Sequence, residues 1–401
     1  MLHRSTNNLA IKYFRNVAVF VTLGFVFLTC AEVNHEKEKY TKGARWHHYI
    51  ELINQAVKDY KDCSNENCSC FTSVLKDDFA VWIKKGGITK DDLKAAHSFG
   101  VNYQILSHKL FRQEECMFPF RCSGVEHFLL EIIDNLPDMD LVINVKDWPQ
   151  VYHHQEPLPV FSFSKVADVN WDIMYPAWTF WEGGPAVWPI YPTGLGRWDL
   201  QRDIITRAAE AWPWDKKEDK AFFRGSRTSS ERDPLILLSR KEPALVDAAY
   251  TKNQAWKSNE DTLYQPPASE VKLEDHCKYR YLFNFRGVAA SFRLKHLFLC
   301  NSTVFHVGND WLEFFYPALK PWVHYIPVKS DLANVRDLLL FAQQNQDVMK
   351  SIANRGRQFI IDHLRLEDVS CYWKQILLKY AELLKAKPVK NKSFKEIKST
   401  L

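Results

Sequence analysis

The sequence predicts an α/β protein whose second half forms a parallel sheet with helices on both faces. Short apolar runs alternate there with amphipathic helical patterns from residue 221 onward, as in doubly wound folds. The 401 residues allow two domains with separate cores, and 46% hydrophobic and 25% charged residues are ordinary for a globular chain. The formal charge of +5 comes from basic residues scattered among acidic ones. This argues against a nucleic-acid-binding face and allows a basic phosphate pocket.

The N-terminus has the features of a secretory signal peptide. Basic residues up to Arg15 precede the apolar run Val17–Leu28, which is shorter than the roughly 20 residues that span a bilayer. Thr29 and Ala31 provide small residues for cleavage. We therefore predict that residues 1–31 are removed and that no stable transmembrane segment remains. A retained signal anchor is the alternative, because the stretch before the apolar run is long.

Cysteine usage agrees with the secretory pathway. One of the nine cysteines, Cys30, falls in the signal, and the even number that remains is typical of disulfide-bonded secretory proteins. Cys116 and Cys122 are the easiest local pair, whereas spacing leaves the other pairings open. Cys68-Ser-Cys70 has no second ligand cluster at zinc spacing, so no metal site is predicted there. Three N-glycosylation sequons also fit a secretory lumen: Asn67, Asn301 and Asn391.

Hydrophobic periodicity predicts helices and strands in the first half. The predicted helices are Trp46–Tyr60, Gly124–Leu136 and Asp199–Ala211. The predicted strands are the short apolar runs Leu141–Val145 and Val160–Ser164.

The second half follows a polar, proline-containing stretch, Trp212–Lys220, which we interpret as an interdomain linker. Its predicted strands are Ala221–Arg224, Tyr281–Asn284, Thr303–Val307 and Val323–Val328. Its predicted helices are one near Pro234–Ser239, one over Ser291–Phe298, further helices up to His363, and a last helix over Glu367–Leu384. The basic tail from Lys387 onward is expected to be loosely held.

An aromatic block rich in proline and glycine ends the first half. Five tryptophans lie between Trp171 and Trp198, and Pro and Gly interrupt any regular periodicity. Aromatic side chains combine rigid contact area with a polar N–H or O–H group, which suits sugars and folded protein partners. The alternative is a loop that packs against the core.

Two acidic motifs flank the strand Leu141–Val145. Asp147 follows its carboxyl end, where open α/β sheets place ligand groups, and is a candidate general base. An aspartate that caps a turn is the alternative. Asp138-Met-Asp140 resembles the D-x-D metal motif of one class of glycosyltransferases, but it precedes the strand instead of following it. We interpret this pair as surface turn acids.

Two turns in the second half suit a phosphate. In Phe222–Arg232, backbone N–H groups, hydroxyls and guanidiniums converge after a strand, although a basic surface turn is the alternative. In Phe285–Arg293, small residues allow close backbone approach, Ser291 can cap a helix, and Arg293 lies in its first turn. Together with Asp147, these turns suggest a nucleotide-sugar donor that faces an acceptor across a cleft.

At these segments the chain resembles the Rumi family of protein O-glucosyltransferases, which belongs to the broader CAP10-like glycosyltransferases. The resemblance extends over the region from Trp46 to Leu384. It rests on three long uninterrupted strings, Ala177–Asp199, Phe222–Arg240 and His276–Cys300.

The resemblance implies a fold and an activity. The fold is GT-B, an α/β architecture with two Rossmann-like domains and the active site in the cleft between them. The activity is inverting transfer of glucose from UDP-glucose, and of xylose in some members, without a metal or other cofactor. The acceptor is the serine of Cys-x-Ser-x-(Pro/Ala)-Cys in folded EGF-like repeats, such as those of Notch. The implied location is the endoplasmic reticulum lumen.

The resemblance also implies roles for particular residues. Asp147 matches the catalytic base. The matching donor-binding residues are Tyr191, Ser226, Arg232, Val288, Ala289, Ala290, Ser291, Phe292 and Arg293. The matching acceptor-binding residues are Met117, Phe118, Pro119, Phe120, Arg121, Ala186, Val187, Trp188, Pro189, Ile190, Tyr191, Pro192 and Gln254. Tyr191 is expected to face the donor, whereas Trp171–Trp181 is expected to pack beneath this wall.

The implied disulfides are Cys63–Cys70, Cys68–Cys371, Cys116–Cys122 and Cys277–Cys300. We predict an acceptor-side domain over 32–215 and a UDP-sugar-binding domain over 216–365. A helix over 366–386 is expected to return to the first domain, and 387–401 form the basic tail.

One departure and one alternative remain. Family members usually end in a KDEL-like tetrapeptide, whereas Lys398–Leu401 lacks the acidic residue, so the retention signal is degenerate. The alternative function is a non-catalytic protein that binds EGF-like repeats and assists their folding. The presence of Asp147, Arg232 and Arg293 favours the enzyme.

Overall fold

The computed structural model describes residues 45–63, 68–184, 189–192, 194–252 and 256–398. The chain divides into two compact units, Met1–Lys58 and Asp59–Leu401. The described part of the first unit belongs to helix α1, which covers 45–59. None of the described helices combines the length and apolar character needed to cross a membrane.

The larger unit alternates helices and strands. Its helices are α2 Thr72–Lys85, α3 Lys90–Ala96, α4 Pro119–Ile132, α5 Trp198–Ala211, α6 Asp233–Lys241, α7 Leu294–Leu299, α8 Val335–Gln344, α9 Gln346–His363 and α10 Leu366–Leu383. Its strands are β1 Val101–Leu106, β2 Lys109–Arg112, β3 Met139–Ile143, β4 Val160–Ser162, β5 Lys165–Val166, β6 Ile173–Met174, β7 Glu218–Gly225, β8 Val246–Tyr250, β9 Tyr279–Asn284, β10 Thr303–Val307, β11 Trp311–Leu312, β12 Ile326–Val328 and β13 Lys395–Ile397.

A mixed six-stranded sheet joins strands of the first half to β13 of the C-terminal tail, in the order β13-β2-β1-β3-β4-β6. Strand β1 runs antiparallel to both β2 and β3, whereas β3, β4 and β6 are parallel to one another. Because β3 and β4 are parallel neighbours, the segments that follow their carboxyl ends emerge at the same edge of the sheet.

The second half contains a five-stranded sheet in the order β12-β10-β9-β7-β8. Every pairing in it is parallel. Strand β10 is buried throughout and β9 almost throughout, as in parallel sheets that are covered on both faces. A third, two-stranded sheet pairs β11 with β5 antiparallel. The predicted α/β class, with a parallel sheet in the second half, is confirmed.

The last long helix and the disulfides join distant parts of the chain. Helix α10 packs on the first half, where Tyr372 donates a hydrogen bond to Met174 O (3.2 Å) and Ser370 donates to Glu131 (2.8 Å). The Cys68–Cys371 disulfide fixes the same helix. The other bonds are Cys63–Cys70, Cys116–Cys122 and Cys277–Cys300, so these are the four pairs that the resemblance implied. The domain boundaries themselves stay predictions.

Two expectations about connecting segments were wrong. Strand β7 begins at Glu218, inside the predicted linker, and Trp214 before it is buried. The tail is also not loose up to residue 398, because β13 pairs with the edge strand β2. Gln104 reinforces this pairing by accepting from Asn391 N–H (2.8 Å) and donating to Val389 O (2.9 Å). The tail therefore satisfies backbone groups that an edge strand leaves unpaired.

Residues 72–112 hold two helices and two strands that periodicity did not predict. In α2, Asp78 lies on the buried face and interrupts its apolar pattern. The Lys165 ammonium lies 2.6 Å from Asp78 Oδ1, so the buried carboxylate has a partner from β5. A charged residue is almost never fully buried unless it is paired, and this pairing is invisible in the local sequence.

Candidate active site

Each sequence-predicted turn follows the carboxyl end of a strand. Asp147 follows β3, Ser226 follows β7, and Val288 follows β9. The segment after β4 contacts the segment after β9, since Ala290 N–H donates to Ser164 Oγ (3.2 Å). The candidate donor turn of the second half therefore meets a strand end of the first half.

Asp147 is half-buried in the loop after β3. Its Oδ1 lies 3.1 Å from Nη2 of Arg121, the residue that follows the exposed apolar start of α4. Arg121 Nη1 also donates to Val145 O at 2.7 Å. The carboxylate is thus held on one side and still partly open to solvent, as a general base that receives an acceptor proton must be.

Asn144, which sequence reasoning missed, holds the loop on both sides of Asp147. Its Nδ2 donates to Trp148 O (2.6 Å) and its Oδ1 accepts from Lys146 N–H (2.9 Å). Nδ2 also donates to Ser162 Oγ at 2.9 Å. The clue in the sequence is an asparagine that follows the strand three residues before the candidate base.

Asp172 anchors the far side of the same loop. It accepts from the backbone N–H groups of Gln150 (2.7 Å) and Val151 (2.8 Å) and from Ser162 Oγ (2.6 Å). Burial raises the pKa of Asp172, and these hydrogen bonds partly offset that effect. Nothing in the local sequence distinguishes Asp172 from an ordinary turn residue.

The D-x-D acids lie at the other end of β3 from Asp147. Asp138 accepts from Ser107 N–H (2.7 Å), which fits the predicted turn role. Asp140 is not a surface turn acid, because it lies within β3 and accepts from Gln104 Nε2 (2.6 Å). Its burial raises the pKa of this carboxyl group. Its side chain is used to fasten the sheet edge and the tail segment that Gln104 also binds.

Arg232 joins the two candidate donor turns. Its Nη1 donates to Ser226 O (2.5 Å) and Thr228 Oγ1 (3.2 Å), and its Nη2 donates to Arg286 O. Burial and the neighbouring Arg293 lower the pKa of Arg232 to about 9. The hydrogen bonds of Arg232 therefore hold the two turns together, and its positive charge makes the electrostatic potential between the turns more positive.

Arg293 is the guanidinium that remains available in this cluster. No hydrogen bond or ion pair from its guanidinium to a protein acceptor is found among the described residues. A Cβ at Gly225 would lie 3.2 Å from its Nη2, so the glycine permits this close approach. Burial lowers the pKa of Arg293, while nearby Glu270 acts in the opposite direction. Arg293 and Arg232 both lie 5.5 Å from the Phe223 ring, and the charge of Arg293 helps to lower the pKa of Arg232.

The other arginines of these turns have carboxylate partners. Arg224 pairs with Asp247 and Arg227 with Asp233. Arg286 pairs with Glu231 at 2.7 Å. The sequence suggested that several guanidiniums converge at these turns. Among the described residues, only Arg232 and Arg293 of this group have no carboxylate partner.

The segment Val288–Arg293 is placed differently from the prediction at its helix. Helix α7 begins at Leu294 and has only six residues, so Ser291 is not its N-cap. Ser291 Oγ instead accepts from Arg293 N–H (3.3 Å), and Ser291 O accepts from Tyr316 OH (3.1 Å). A helix N-terminus therefore supplies no anion site here. Ala289 and Ala290 are buried, whereas Val288 is 36% exposed.

Tyr191 is tied to the second half through its hydroxyl group. It donates to Glu274 Oε2 (3.1 Å) and accepts from Leu273 N–H (2.9 Å). Burial raises the pKa of this phenol. Tyr191 thus anchors the end of the aromatic block, and its role toward a donor stays a prediction.

The predicted acceptor surface at the start of α4 is apolar and exposed. Met117 is 68% exposed, Phe120 63% and Phe118 37%. The Cys116–Cys122 disulfide closes this short loop, and Trp148, beside Asp147, is 54% exposed. Exposed apolar side chains clustered on an ordered loop are typical of protein-binding surfaces.

The remaining predicted acceptor residues are only partly described. Pro189 and Pro192 are exposed and Ile190 is half-buried. Ala186, Val187, Trp188 and Gln254 lie outside the described residues, as do Asn67 and the signal peptide. Of the other sequons, Asn391 Oδ1 accepts from Ser393 N–H (3.0 Å), and Asn301 Oδ1 is buried.

The first half of the aromatic block is mainly core. Tyr175, Trp178 and Phe180 are fully buried. The Trp178 ring lies 4.6 Å from the Arg121 guanidinium and 5.7 Å from the Phe292 ring. The packing role expected for Trp171–Trp181 is thus confirmed for these rings, and Trp178 contacts both Arg121, beside the candidate base, and Phe292, in the candidate donor segment.

A buried histidine lies below the donor segment. His306 Nδ1 accepts from Asn284 Nδ2 (2.9 Å), and the rings of Tyr316 and Tyr325 pack edge-on against it. Burial lowers the pKa of His306 to about 4, whereas an exposed imidazole titrates near about 6.5. The fold therefore requires the neutral imidazole.

Acid is expected to destabilise the fold through His306. Unfolded His306 binds a proton below about pH 6.5, but the folded protein does so only near its pKa of about 4. The contribution of neutral His306 to the free energy of unfolding is therefore complete above about pH 6.5. It is lost as the pH falls toward the folded-state pKa of about 4. The free energy of unfolding is measured with urea at about pH 7.5 and about pH 5 for the wild type and His306→Gln. Between these two pH values, the free energy of unfolding of His306→Gln should fall by about 2 kcal/mol less than that of the wild type. Equal losses in the two proteins would contradict this role.

Comparison with known proteins identifies the family. The model of Glycosyl transferase family 90 matches residues 63–401. Protein O-glucosyltransferase 1 of Mus musculus is 57% identical over 375 residues, which cover 93% of this chain and 94% of that protein. The Homo sapiens protein of the same name is 58% identical over 375 residues, with the same coverage of 93% and 94%. O-glucosyltransferase rumi of Drosophila melanogaster is 54% identical over 341 residues, covering 83% of this chain and 82% of its own.

Solved structures resemble the chain only weakly. Anabaena Alr3699/HepE in complex with UDP-glucose has a TM-score of 0.26 and 10% identity over 45% of each chain, which supports no inference. The family model and the sequence relatives, in contrast, extend over most of the chain and confirm the resemblance. The chain belongs to glycosyl transferase family 90.

Proposed function

We propose that this protein O-glucosyltransferase moves glucose from UDP-glucose to a serine of folded EGF-like repeats. One observation carries the proposal. The half-buried carboxylate of Asp147 and the neighbouring guanidiniums of Arg232 and Arg293 lie in segments that follow strands of the two sheets. The segments after β4 and β9 are joined by the Ala290–Ser164 hydrogen bond. This arrangement offers a base on one side and an anion site on the other.

The proposed reaction is a single displacement. The serine Oγ forms a bond to C1 of glucose while the bond from C1 to the diphosphate oxygen breaks, and its electron pair leaves with UDP. The serine proton passes to the Asp147 carboxylate. Attack opposite the leaving group inverts the configuration at C1.

The donor side supports departure of UDP. Negative charge grows on the diphosphate as the bond to C1 breaks, and preorganised cations lower the energy of that state. Arg293 has an available guanidinium, and Arg232 holds the Ser226 and Arg286 turns at a fixed spacing. These cations can fill the role that a metal has in other glycosyltransferases, so we propose that no metal is required.

The acceptor side supports a folded protein substrate. Met117, Phe118 and Phe120 present an apolar surface next to Arg121, which contacts Asp147. A hydrophobic patch of this kind suits the compact surface of a disulfide-rich repeat with the motif Cys-x-Ser-x-(Pro/Ala)-Cys. By the same reasoning we propose that the acceptors are EGF-like repeats of Notch and other secretory proteins, modified in the endoplasmic reticulum lumen. UDP-xylose is proposed as a second donor.

A transfer assay tests the proposal against a non-catalytic folding helper. The purified protein is incubated with UDP-glucose and a folded EGF-like repeat that carries the acceptor motif, and the product mass is measured with and without a chelator. We expect the mass of one hexose to be added in both cases. Binding of the repeat without any added hexose would favour the folding helper, and loss of transfer with the chelator would contradict the metal-free mechanism. Replacing UDP-glucose with UDP-xylose measures donor preference.

A further inference from the structure

Arg121 makes four contacts in and around the candidate site. Its two Nη atoms contact Val145 O (2.7 Å) and Asp147 Oδ1 (3.1 Å). Its Cζ lies 4.2 Å from the Phe118 ring centroid and 4.6 Å from that of Trp178. A single guanidinium thus contacts the base, the loop that carries the base, the exposed acceptor surface and the buried core.

We propose that Arg121 is a positioning residue for Asp147, although the resemblance placed it among the residues that bind the acceptor. This inference rests on the proposed function. Arg121 sets the orientation of the base, and Phe118 and its exposed neighbours make the contacts with the acceptor.

One ion pair and one hydrogen bond explain how Arg121 orients the carboxylate. A guanidinium is a rigid planar fork, so binding Val145 O and Asp147 Oδ1 together fixes the carboxylate relative to its own backbone. Among the described residues no donor engages Asp147 Oδ2. That oxygen is left for the acceptor hydroxyl group. Orientation of this kind matters because small displacements of a reacting group cost large factors in rate.

The aromatic contacts explain how the guanidinium is itself held. Trp178 is fully buried, whereas Phe118 is 37% exposed, so one ring is part of the core and the other is part of the surface. The Cys116–Cys122 disulfide restrains the loop that carries Phe118. Cation–π contacts with both rings oppose rotation of the side chain.

This arrangement couples acceptor docking to the base. A repeat that covers Met117 and Phe118 removes water from the pair formed by Arg121 and Asp147. Their attraction then strengthens, because water screens it less. The base is consequently held most firmly when an acceptor is present.

Steady-state kinetics on the full-length enzyme with a folded EGF-like repeat distinguish positioning from contact. Arg121→Gln is expected to lower kcat by up to about 100-fold while the acceptor KM stays within about twofold. Arg121→Lys keeps a charge but cannot bridge both oxygens, so its kcat should be intermediate. Met117→Ala is the matched surface variant, and it should raise the acceptor KM with little change in kcat.

The opposite pattern would overturn the proposal. A raised acceptor KM with unchanged kcat in Arg121→Gln would make Arg121 a substrate contact, and wild-type values for both would leave it without a role. Crystal structures of the wild type and Arg121→Gln provide a second measure, in which the Asp147 carboxylate should turn away from its wild-type orientation. An unchanged orientation would also overturn the proposal. If the wild type transfers no sugar, the proposed function is wrong, and the crystallographic comparison still decides the role of Arg121.

Discussion

Asp147→Asn is expected to lower kcat for glucose transfer by about 10²- to 10⁴-fold, the range attributed to general acid–base catalysis. Asparagine has nearly the same shape and can still accept from Arg121, which lies 3.1 Å from Asp147 Oδ1. It cannot take the proton of the acceptor serine. The effect should therefore appear in kcat, whereas the affinity for a folded repeat, measured by calorimetry, should stay near that of the wild type.

Asp138→Asn is the matched control for this experiment. Asp138 lies beyond the opposite end of β3, and its Oδ1 accepts from Ser107 N–H at 2.7 Å, a bond that an asparagine oxygen can also accept. Transfer should stay at the wild-type level. Wild-type activity in Asp147→Asn would remove Asp147 from its role, and a large loss in Asp138→Asn would reopen the question of a D-x-D metal site.

Arg293→Met should give the second large effect, a loss of about 10²- to 10³-fold in kcat, comparable with removal of one preorganised group that stabilises developing charge. Methionine keeps much of the length of the side chain but removes its charge. Because the charge on UDP grows as the glycosidic bond breaks, kcat should fall more than the affinity for free UDP. Initial-rate kinetics together with UDP titration separate these two effects.

The control for Arg293 is Arg336→Met. Arg336 is an exposed arginine on α8 whose Nε lies 2.7 Å from Glu242. This variant should transfer glucose at the wild-type rate. A fall in UDP affinity equal to the fall in kcat for Arg293→Met would show that Arg293 binds the ground state and the transition state alike. An unchanged kcat would exclude Arg293 from the reaction.

Much of the fold could be predicted from local patterns. The strands β7, β9 and β10 and the helices α5, α6 and α10 lie close to the predicted bounds, because their apolar residues repeat with the period of the element. The segment with β1 and β2 was missed. Its strand β1 contains the buried polar residue Gln104, whose partners lie in β3 and in the tail.

The candidate site divides in a similar way. Asp147 and Arg293 could be singled out because both follow strand ends, and resemblance to known enzymes then gave them roles. The resemblance assigned Arg232 to the donor side, and that role stays a prediction, whereas the structure shows that its Nη atoms hold two turns. Ser291 illustrates the reverse case. Its local sequence favours a helix cap, whereas Tyr316 OH donates to Ser291 O, bends and turns lead up to the helix, and Arg293 takes the N-cap position.

The sequence by itself determined the α/β class, the family, the four disulfide pairs implied by that family and the aspartate proposed as the base. Local periodicity and long matching strings can be recognised in the sequence without knowing which residues lie close together in space. Only the tertiary structure decided which charges remain available. Hydrogen bonds and ion pairs from distant segments occupy Arg224, Arg232 and Asp140. Among the described residues they leave the Arg293 guanidinium without a hydrogen-bonded or ion-paired acceptor, and they leave Asp147 held by Arg121. The physical reason is that the availability of a charged group depends on its partners in space, and the residues adjacent to it in the sequence do not specify those partners.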